Sequence, residues 1–384
     1  MVRRVGVIGG GQLAWMMADP AKRLDLALMI QTPSAHDPAV SIATETIFAK
    51  VNDAIATAQL ANHADVITFE NEFVDLEALE KLSQQGIHFR PKLSALVPLL
   101  DKFDQRQFLR EHHLPVPNFW TPETLPQPVT FPIVLKTRRL GYDGQGTFII
   151  RDRSTWDATL KQLESRPLIV EEFIPFEQEL AVMVARSTTG EIVVYPVVET
   201  QQEKAVCRRV IAPASVSESV IWEVNKIART IVESLDIVGI VGVELFLTSD
   251  DSHSDAPSDR VLVNEIAPRT HNSGHYTIDA CETSQFEQQL RAVAGLPLGS
   301  SALNGAGAVM VNLLGYESAK RDYLEKREKM AALPNAFVHW YGKSESRPGR
   351  KLGHVTVLLD DAIDLRDRAL EIADAIESIW YEPC

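Results

Sequence analysis

Asn264-Glu-Ile-Ala-Pro-Arg-Thr-His-Asn-Ser-Gly-His275 packs a carboxylate, an arginine, two histidines and two asparagines into twelve positions. A stretch that polar cannot simply be core. It follows directly on Val261-Leu-Val, a short β-prone run, so a strand delivers it to one place. Upstream, Val241-Gly-Val-Glu-Leu-Phe-Leu247 is a second such run with Glu244 at its centre. The segment between them, residues 248–260, is polar and turn-rich, as an exposed hairpin end should be. Pairing the two runs puts Glu244 beside Glu265. Two carboxylates that close repel unless a cation sits between them, and oxygen-only ligation suits Mg²⁺ bridging a polyphosphate. The alternative is a surface hairpin with scattered acids.

Around this hairpin the chain reads as α/β. Val5-Gly-Val-Ile8, the turn Gly9-Gly-Gly11 and the segment up to Met17 read as buried strand, glycine turn and helix. Residues 26–30 and 66–69 read as further strands, with helices over 54–63 and 76–85. Strands alternating with helices imply a parallel sheet. A helix over 102–113 then stops at Leu114-Pro-Val-Pro, and prolines up to Pro132 make an irregular link. Strands at 133–136, 147–150 and 168–171, with a helix from Ser154, build a small α+β lobe. A larger lobe carries the paired acids and a helix over 217–235. The tail from Ala308 reads as another small α/β unit, with a strand at 355–359 and a helix at 364–378.

Bulk properties narrow the function. The 384 residues suffice for two or three domains, and 45% hydrophobic content is ordinary for a soluble globular chain. A net charge of −14 argues against nucleic acid or an anionic membrane as the main partner, since both need a basic face. Phosphorylated small molecules need only a local cationic pocket. Cys207, Cys281 and Cys384 are widely spaced, form no zinc pattern and suit a reducing compartment. The chain runs into its first strand without signal-peptide architecture, and no apolar run is long enough to cross a bilayer. The expectation is a soluble cytoplasmic protein.

Four further motifs carry chemistry. Gly9-x-Gly11-x-x-Ala14 matches the dinucleotide fingerprint, but the second strand ends at Ile30-Gln31-Thr32 and supplies no ribose-binding acid. Anion binding at the helix start and close strand–helix packing remain equal readings of these glycines. Lys136 ends a strand before Arg138-Arg-Leu-Gly-Tyr-Asp-Gly-Gln-Gly-Thr147, a glycine-rich turn whose amides can fold over phosphates, although such turns also occur in plain hairpins. Glu171-Glu-Phe-Ile174 offers a strand edge and apolar cover for a flat base, with Glu179 able to hold a ribose; solvated acids on a strand are the alternative. Lys343 and the segment Arg347-Pro-Gly-Arg-Lys-Leu-Gly-His354 concentrate cations in an acidic chain, and they suit a phosphate monoester better than a solvated loop.

In this order the motifs resemble the ATP-grasp ligases, and among them the 5-(carboxyamino)imidazole ribonucleotide synthases of purine biosynthesis. The resemblance rests on Gly9-Gly-Gly-Gln-Leu, Phe69-Glu-Asn-Glu72, Gly141-Tyr-Asp-Gly-Gln-Gly146, Asn264 to His275, and Tyr341-Gly-Lys through Gly353-His354. Ser284-Gln-Phe-Glu287 and Gly295-Leu-Pro-Leu-Gly299 add to it. It implies an ATP-grasp fold with an N-terminal Rossmann-like domain (1–100), an ATP-grasp domain (101–298, lid lobe 118–178, larger lobe 179–298) and a small C-terminal domain (299–384). It implies joining bicarbonate to the amine of aminoimidazole ribonucleotide at the expense of ATP, through carboxyphosphate. Lys102 and Lys136 should then contact the ATP phosphates under the loop Gly141, Tyr142, Asp143, Gly144, Gln145, Gly146, Thr147. Glu171, Glu172, Phe173 and Ile174 should hold adenine and Glu179 the ribose. Glu244 and Glu265 should carry Mg²⁺ (or Mn²⁺) with Asn264 beside them. Arg269 and His271 should face the bicarbonate-derived group and the ribonucleotide, with Tyr142 and Asp143 at the chemistry. Glu70, Asn272, Lys343 and Arg350 should hold the ribonucleotide, Lys343 and Arg350 at its phosphate. The resemblance also suggests a homodimer.

Three positions depart from the family pattern. The family often has a nucleotide-contacting histidine in the segment after Tyr195-Pro196, where residues 199–207 hold none and Gln202 stands in its place; it often has a basic residue where Gln145 stands and an arginine where Lys102 stands, a fork for a point charge. The alternative within the superfamily is a ligase acting on a different phosphorylated amine. A non-catalytic nucleotide-binding module should lack the paired acids and the glycine-rich loop.

Overall fold

Four short strands near the N-terminus, β1 (Arg4–Ile8), β2 (Ala27–Thr32), β3 (Glu45–Phe48) and β4 (Val66–Phe69), form a parallel sheet in the order β3-β2-β1-β4. Every residue of β4 is buried, as expected of a parallel strand covered on both faces. The computed structural model describes residues 2–139, 146–164, 166–203, 206–250, 258–343 and 345–382. Helices α1 (Gln12–Trp15), α2 (Ala18–Arg23), α3 (Ala54–His63), α4 (Leu76–Gln84) and α5 (Leu93–Leu96) belong to this first unit. Asp53 and Asp75 cap α3 and α4, each accepting hydrogen bonds from the helix's first amides.

Helix α6 (Lys102–Glu111) leads onward, capped by Asp101. A second sheet follows in the order β5-β8-β6-β7, built from β5 (Phe119–Trp120), β6 (Ile133–Thr137), β7 (Thr147–Ile150) and β8 (Leu168–Glu172). Helix α7 (Arg153–Gln162) covers it, with Trp156 packed among Leu135, Ile150 and Val170.

The remaining strands form one sheet. They are β9 (Gln178–Arg186), β10 (Ile192–Val194), β11 (Val198–Glu203), β12 (Val206–Ala212), β13 (Gly239–Asp250), β14 (Ser258–Ala267), β15 (Gly307–Leu314), β16 (Ala336–Trp340) and β17 (Lys351–Leu359). Their order is β14-β13-β9-β11-β12-β15-β17-β16, with β10 on β9. Helix α8 (Glu218–Ser234) lays Val224, Ala228 and Ile231 on Val182, Val184, Val241 and Val243. Helices α9 (Thr277–Ala280), α10 (Gln285–Ala294), α11 (Leu324–Ala331) and α12 (Leu365–Tyr381) complete the chain. Gln289 of α10 donates to Thr68 of β4 at 2.8 Å and accepts from the Ile240 amide at 2.6 Å, so one side chain ties the first sheet to the third. Among the described residues no helix is long and apolar enough to cross a membrane.

The tail is less separate than its sequence suggests. β15 pairs with β12, so the C-terminal strands extend the large sheet instead of starting a new one. An exposed β12 edge would leave a row of unpaired amides and carbonyls, and the tail supplies their partners.

Replacing Ile231, fully buried between α8 and the large sheet, with alanine should lower the unfolding free energy by about 2–5 kcal/mol. Trp222→Ala on the exposed side of the same helix should change it by less than about 1 kcal/mol. Urea unfolding of the two variants checks the contrast.

Candidate active site

The register of β13 and β14 places Glu244 directly opposite Glu265. Opposed residues of an antiparallel pair share a face, so both carboxylates stand on one side of the sheet. The register shifts at the next step: Leu245 pairs with Val263, and Asn264 becomes the extra residue of a bulge. Asn264 turns its side-chain oxygen toward Lys136 Nζ (3.4 Å), while its carbonyl accepts from Arg106 at 2.6 Å. Burial pushes the Glu244 carboxyl up to about 7, and the charges of Glu265 and Glu179 add to the effect. Glu265 moves the other way. Burial raises it, but the Lys102 ammonium, 2.7 Å away, together with Lys136 and His271 holds it below the ordinary range.

Lys136 on β6 and Arg106 on α6 converge on one carboxylate. Glu171 Oε2 lies 2.6 Å from Lys136 Nζ, and Oε1 lies 2.7 Å from Arg106 Nε. All three side chains are almost wholly buried, and the two cations overcome the burial penalty to hold Glu171 well below the usual carboxylate range. The Glu171 carboxylate is thus committed inside the protein, while Glu172, Phe173, Ile174, Glu179 and Gln202 line the adjoining cleft. Thr147 pairs with Lys136 across β6 and β7, and the Gly146 carbonyl accepts from the Thr137 amide at 2.8 Å. Gly141, Tyr142, Asp143, Gly144 and Gln145 lie outside the described residues. Phe176 and Phe246 stack face to face at 4.7 Å. Phe246 opposes Glu179 across β13 and β9, which sets a flat apolar wall beside an acid.

The first glycine loop wraps an anion belonging to the chain itself. The Glu70 carboxylate accepts from the Gly11 and Leu13 amides, and a Cβ on Gly11 would stand 2.3 Å from Glu70 Oε1. Close packing therefore accounts for Gly11, and the amides offered by the helix start are already engaged. Burial raises the Glu70 carboxyl, with Arg269 and those amides opposing it. Arg269 Nε lies 2.8 Å from Glu72 Oε1. His271 directs Nδ1 to Ser273 Oγ at 2.9 Å and Nε2 to Glu244 Oε1 at 3.6 Å. Gly242 makes room for that imidazole, since a Cβ there would meet the His271 Cβ at 2.7 Å. Asn272 exchanges reciprocal amide hydrogen bonds with Asn312 at 2.9 and 2.7 Å. Lys343 donates to the Lys351 carbonyl and Arg350 to the Glu345 carbonyl, both at 2.7 Å.

A single cleft of about 2650 Å³ joins these groups: Glu70, Lys102, Lys136, Glu179, Glu244, Asn264, Glu265, Arg269, His271, Asn272, Lys343 and Arg350 all line it. Residues 2–98 match the ribonucleotide synthetase preATP-grasp domain, 107–286 the ATP-grasp domain, and 308–368 the phosphoribosylaminoimidazole carboxylase C-terminal domain. The N5-carboxyaminoimidazole ribonucleotide synthase of Synechococcus elongatus is 53% identical over 390 residues, covering 100% of this chain and 96% of its own. The chain belongs to the N5-carboxyaminoimidazole ribonucleotide synthase family. These are ATP-grasp ligases. A crystal structure of an ADP complex of N5-carboxyaminoimidazole ribonucleotide synthetase superposes with a TM-score of 0.87 at 34% identity, covering 98% of this chain and 97% of that one. The Aspergillus clavatus synthase in complex with ADP and 5-aminoimidazole ribonucleotide gives 0.85 at 31%, covering 98% and 99%.

Some residues of this family site escaped sequence reasoning. Arg106 sits on the apolar side of a helix and looks like an ordinary helix cation until Glu171 is seen beneath it. Phe246 was missed although a signal was there: it lies two residues from Glu244 on one strand and so on the same face. Arg366 was not legible. It reaches from α12 to grip both oxygens of Glu199 at 2.7 and 2.9 Å, a contact across 167 positions.

Glu179 supplies a pH test. Burial raises its carboxyl from 4.5 to about 7. Between those values the folded chain binds the proton more tightly than the unfolded one, so stability falls as pH rises through that window and stays low above it. Glu179→Gln should therefore raise Tm by a few degrees at pH 8, and the gain should disappear as pH falls to 4.5. Thermal melts of both proteins across that range decide it.

Proposed function

We propose that the protein carboxylates 5-aminoimidazole ribonucleotide with bicarbonate, consuming ATP and releasing ADP and phosphate, in de novo purine biosynthesis. One observation carries this reading: the cleft that holds the paired acids and the lysines Lys102 and Lys136 also holds Lys343 and Arg350, cations fit for the phosphate of a second substrate. The Aspergillus clavatus relative with both ADP and 5-aminoimidazole ribonucleotide bound supports it.

In this reading ATP enters with its base along the Phe176–Phe246 wall and its ribose at Glu179. Lys102 and Lys136 exchange carboxylate partners for phosphate oxygens. A bicarbonate oxygen attacks the γ-phosphorus, the bond to ADP breaks, and carboxyphosphate forms. The amine of the ribonucleotide then bonds to the carboxyl carbon, phosphate leaves, and the amine gives up a proton. Arg269 and His271 orient the carboxyl group, and Glu70, Asn272, Lys343 and Arg350 hold the ribonucleotide. The family likeness gives Tyr142 and Asp143, with the rest of the Gly141–Thr147 segment, a part in the chemistry, and residues 141–145 lie outside the described residues. The work is mostly charge neutralisation and dryness.

The acids fit a divalent cation. Among the described residues no group of three or more His, Cys, Asp or Glu forms a metal site by itself. The opposed pair Glu244 and Glu265, with Glu244 pushed up to about 7, still asks for positive charge that nucleotide-bound metal brings. Glu244 and Glu265 would hold Mg²⁺ (or Mn²⁺), with Asn264 beside them, and the ion supplies neutralisation of the outer phosphates. The same reading gives a cytoplasmic homodimer, which light scattering on the purified chain tests for assembly.

Phosphate release from ATP should require bicarbonate and rise with added 5-aminoimidazole ribonucleotide; release indifferent to the ribonucleotide defeats the substrate assignment. Glu265→Gln should lower turnover at least about 10²-fold with an unchanged circular dichroism spectrum. Retained activity would remove its metal-holding role.

A further inference from the structure

Ser284-Gln-Phe-Glu287 has no task in the reaction above, yet its glutamine lies directly behind the substrate turn. Gln285 opens α10, is fully buried and does not line the cleft. Its Oε1 accepts from the His271 amide at 2.9 Å, and its Nε2 donates to the His271 carbonyl at 2.7 Å. A backbone N–H only donates and a carbonyl only accepts, so the side-chain amide has one possible orientation. Thr277 Oγ1 accepts from the Gln285 amide at 2.9 Å and donates to the Gly274 carbonyl at 2.6 Å. A Cβ on Gly274 would stand 2.6 Å from Gln285 Oε1. The turn from His271 to Thr277 is moulded on this one residue.

A second consequence follows for His275. Gln285 Nε2 also lies 3.1 Å from His275 Nδ1, and because Nε2 donates, Nδ1 must accept. Burial, with Lys351 and His271 nearby, keeps the ring well below its ordinary value and therefore neutral. Its proton sits on Nε2, which has no hydrogen-bond partner among the described residues. A buried donor without a partner is costly, so this tautomer is imposed by Gln285 and not chosen by the ring.

We propose that Gln285 is a positioning residue of the carboxylation: its amide grips the His271 backbone on both sides and so fixes where the His271 imidazole stands in the cleft, with the Nε2–H form of His275 as its signature. This rests on the reading of His271 as a group facing substrate. Gln285 touches no reactant and acts only through the turn.

Gln285→Glu keeps length and acceptor and, once ionised, loses the donor, so its kinetics are read above the pH at which the buried carboxyl gives up its proton. In the full-length enzyme it should lower kcat at saturating ribonucleotide by about 10²-fold and leave the KM for ATP within about twofold, as expected when a group is displaced only at the chemistry. Ser284→Ala, which removes the cap on the Glu287 amide, should lower Tm by a few degrees and leave kcat unchanged. Histidine nitrogen shifts, with His275 assigned from the signal lost in His275→Gln, should show Nε2–H in the wild type and Nδ1–H in Gln285→Glu. Should that variant not fold, Gln285→Met repeats the kinetic comparison, and the wild-type shifts still stand. A wild-type His275 protonated on Nδ1, or a Gln285 variant that is folded and has wild-type kcat, overturns the proposal. A wild type without ribonucleotide-dependent turnover defeats the functional reading instead, and the nitrogen shifts then decide whether Gln285 sets the ring.

Discussion

Glu171 is the contact on which the cleft depends. Its carboxylate sits on β8 of the small lobe, and its partners are Lys136 on β6 and Arg106 on α6. Arg106 reaches further, to the Asn264 carbonyl on β14 of the large sheet. One buried acid thereby joins the connecting helix, the small lobe and the strand that carries Glu265. Taking such charges out of water is expensive, and the arrangement persists because each finds a partner with good geometry. Removing one member would leave the others charged and buried. The opening between the lobes is in this sense built around Glu171, even though its carboxylate is not free to hold a nucleotide.

The parts of the fold legible in the sequence are those with local signals. The period of the first strands, the aspartates before α3 and α4, and the prolines after α6 all act within a few residues. The pairing of Glu244 with Glu265 was legible for the same reason: a polar turn between two β-prone runs fixes their approximate register. What stayed hidden needs long-range partners. β11 and β12 carry mixed polar residues where they line the cleft, so their pattern is weak. The pairing of β12 with β15 depends on an edge that no local motif marks. Arg106, Arg366 and Gln285 take their meaning from residues 65 to 167 positions away or from a turn folded back onto them.

The glycine loop shows how a motif can be right in its physics and wrong in its ligand. Gly9, Gly10 and Gly11 do bring backbone close to a partner, and the amides at the start of α1 do attract a carboxylate. That carboxylate is Glu70, delivered by the end of β4. The geometry leaves Glu70 pointing into the cleft with Arg269 opposite, so the loop shapes the substrate site from behind.

Several of the cleft's cations are matched to acids, among them Lys102 to Glu265, Lys136 to Glu171 and Arg269 to Glu72. In the proposed reading, binding a polyphosphate is an exchange of one ion pairing for another, and its net gain is a difference between them. For Lys102 the exchange has a further effect. In the proposed reading its departure from Glu265 leaves Lys136 and His271 to offset the repulsion from Glu244, and the weaker compensation favours a divalent cation at the pair. An acidic chain can in this way keep a phosphate site without a standing excess of positive charge.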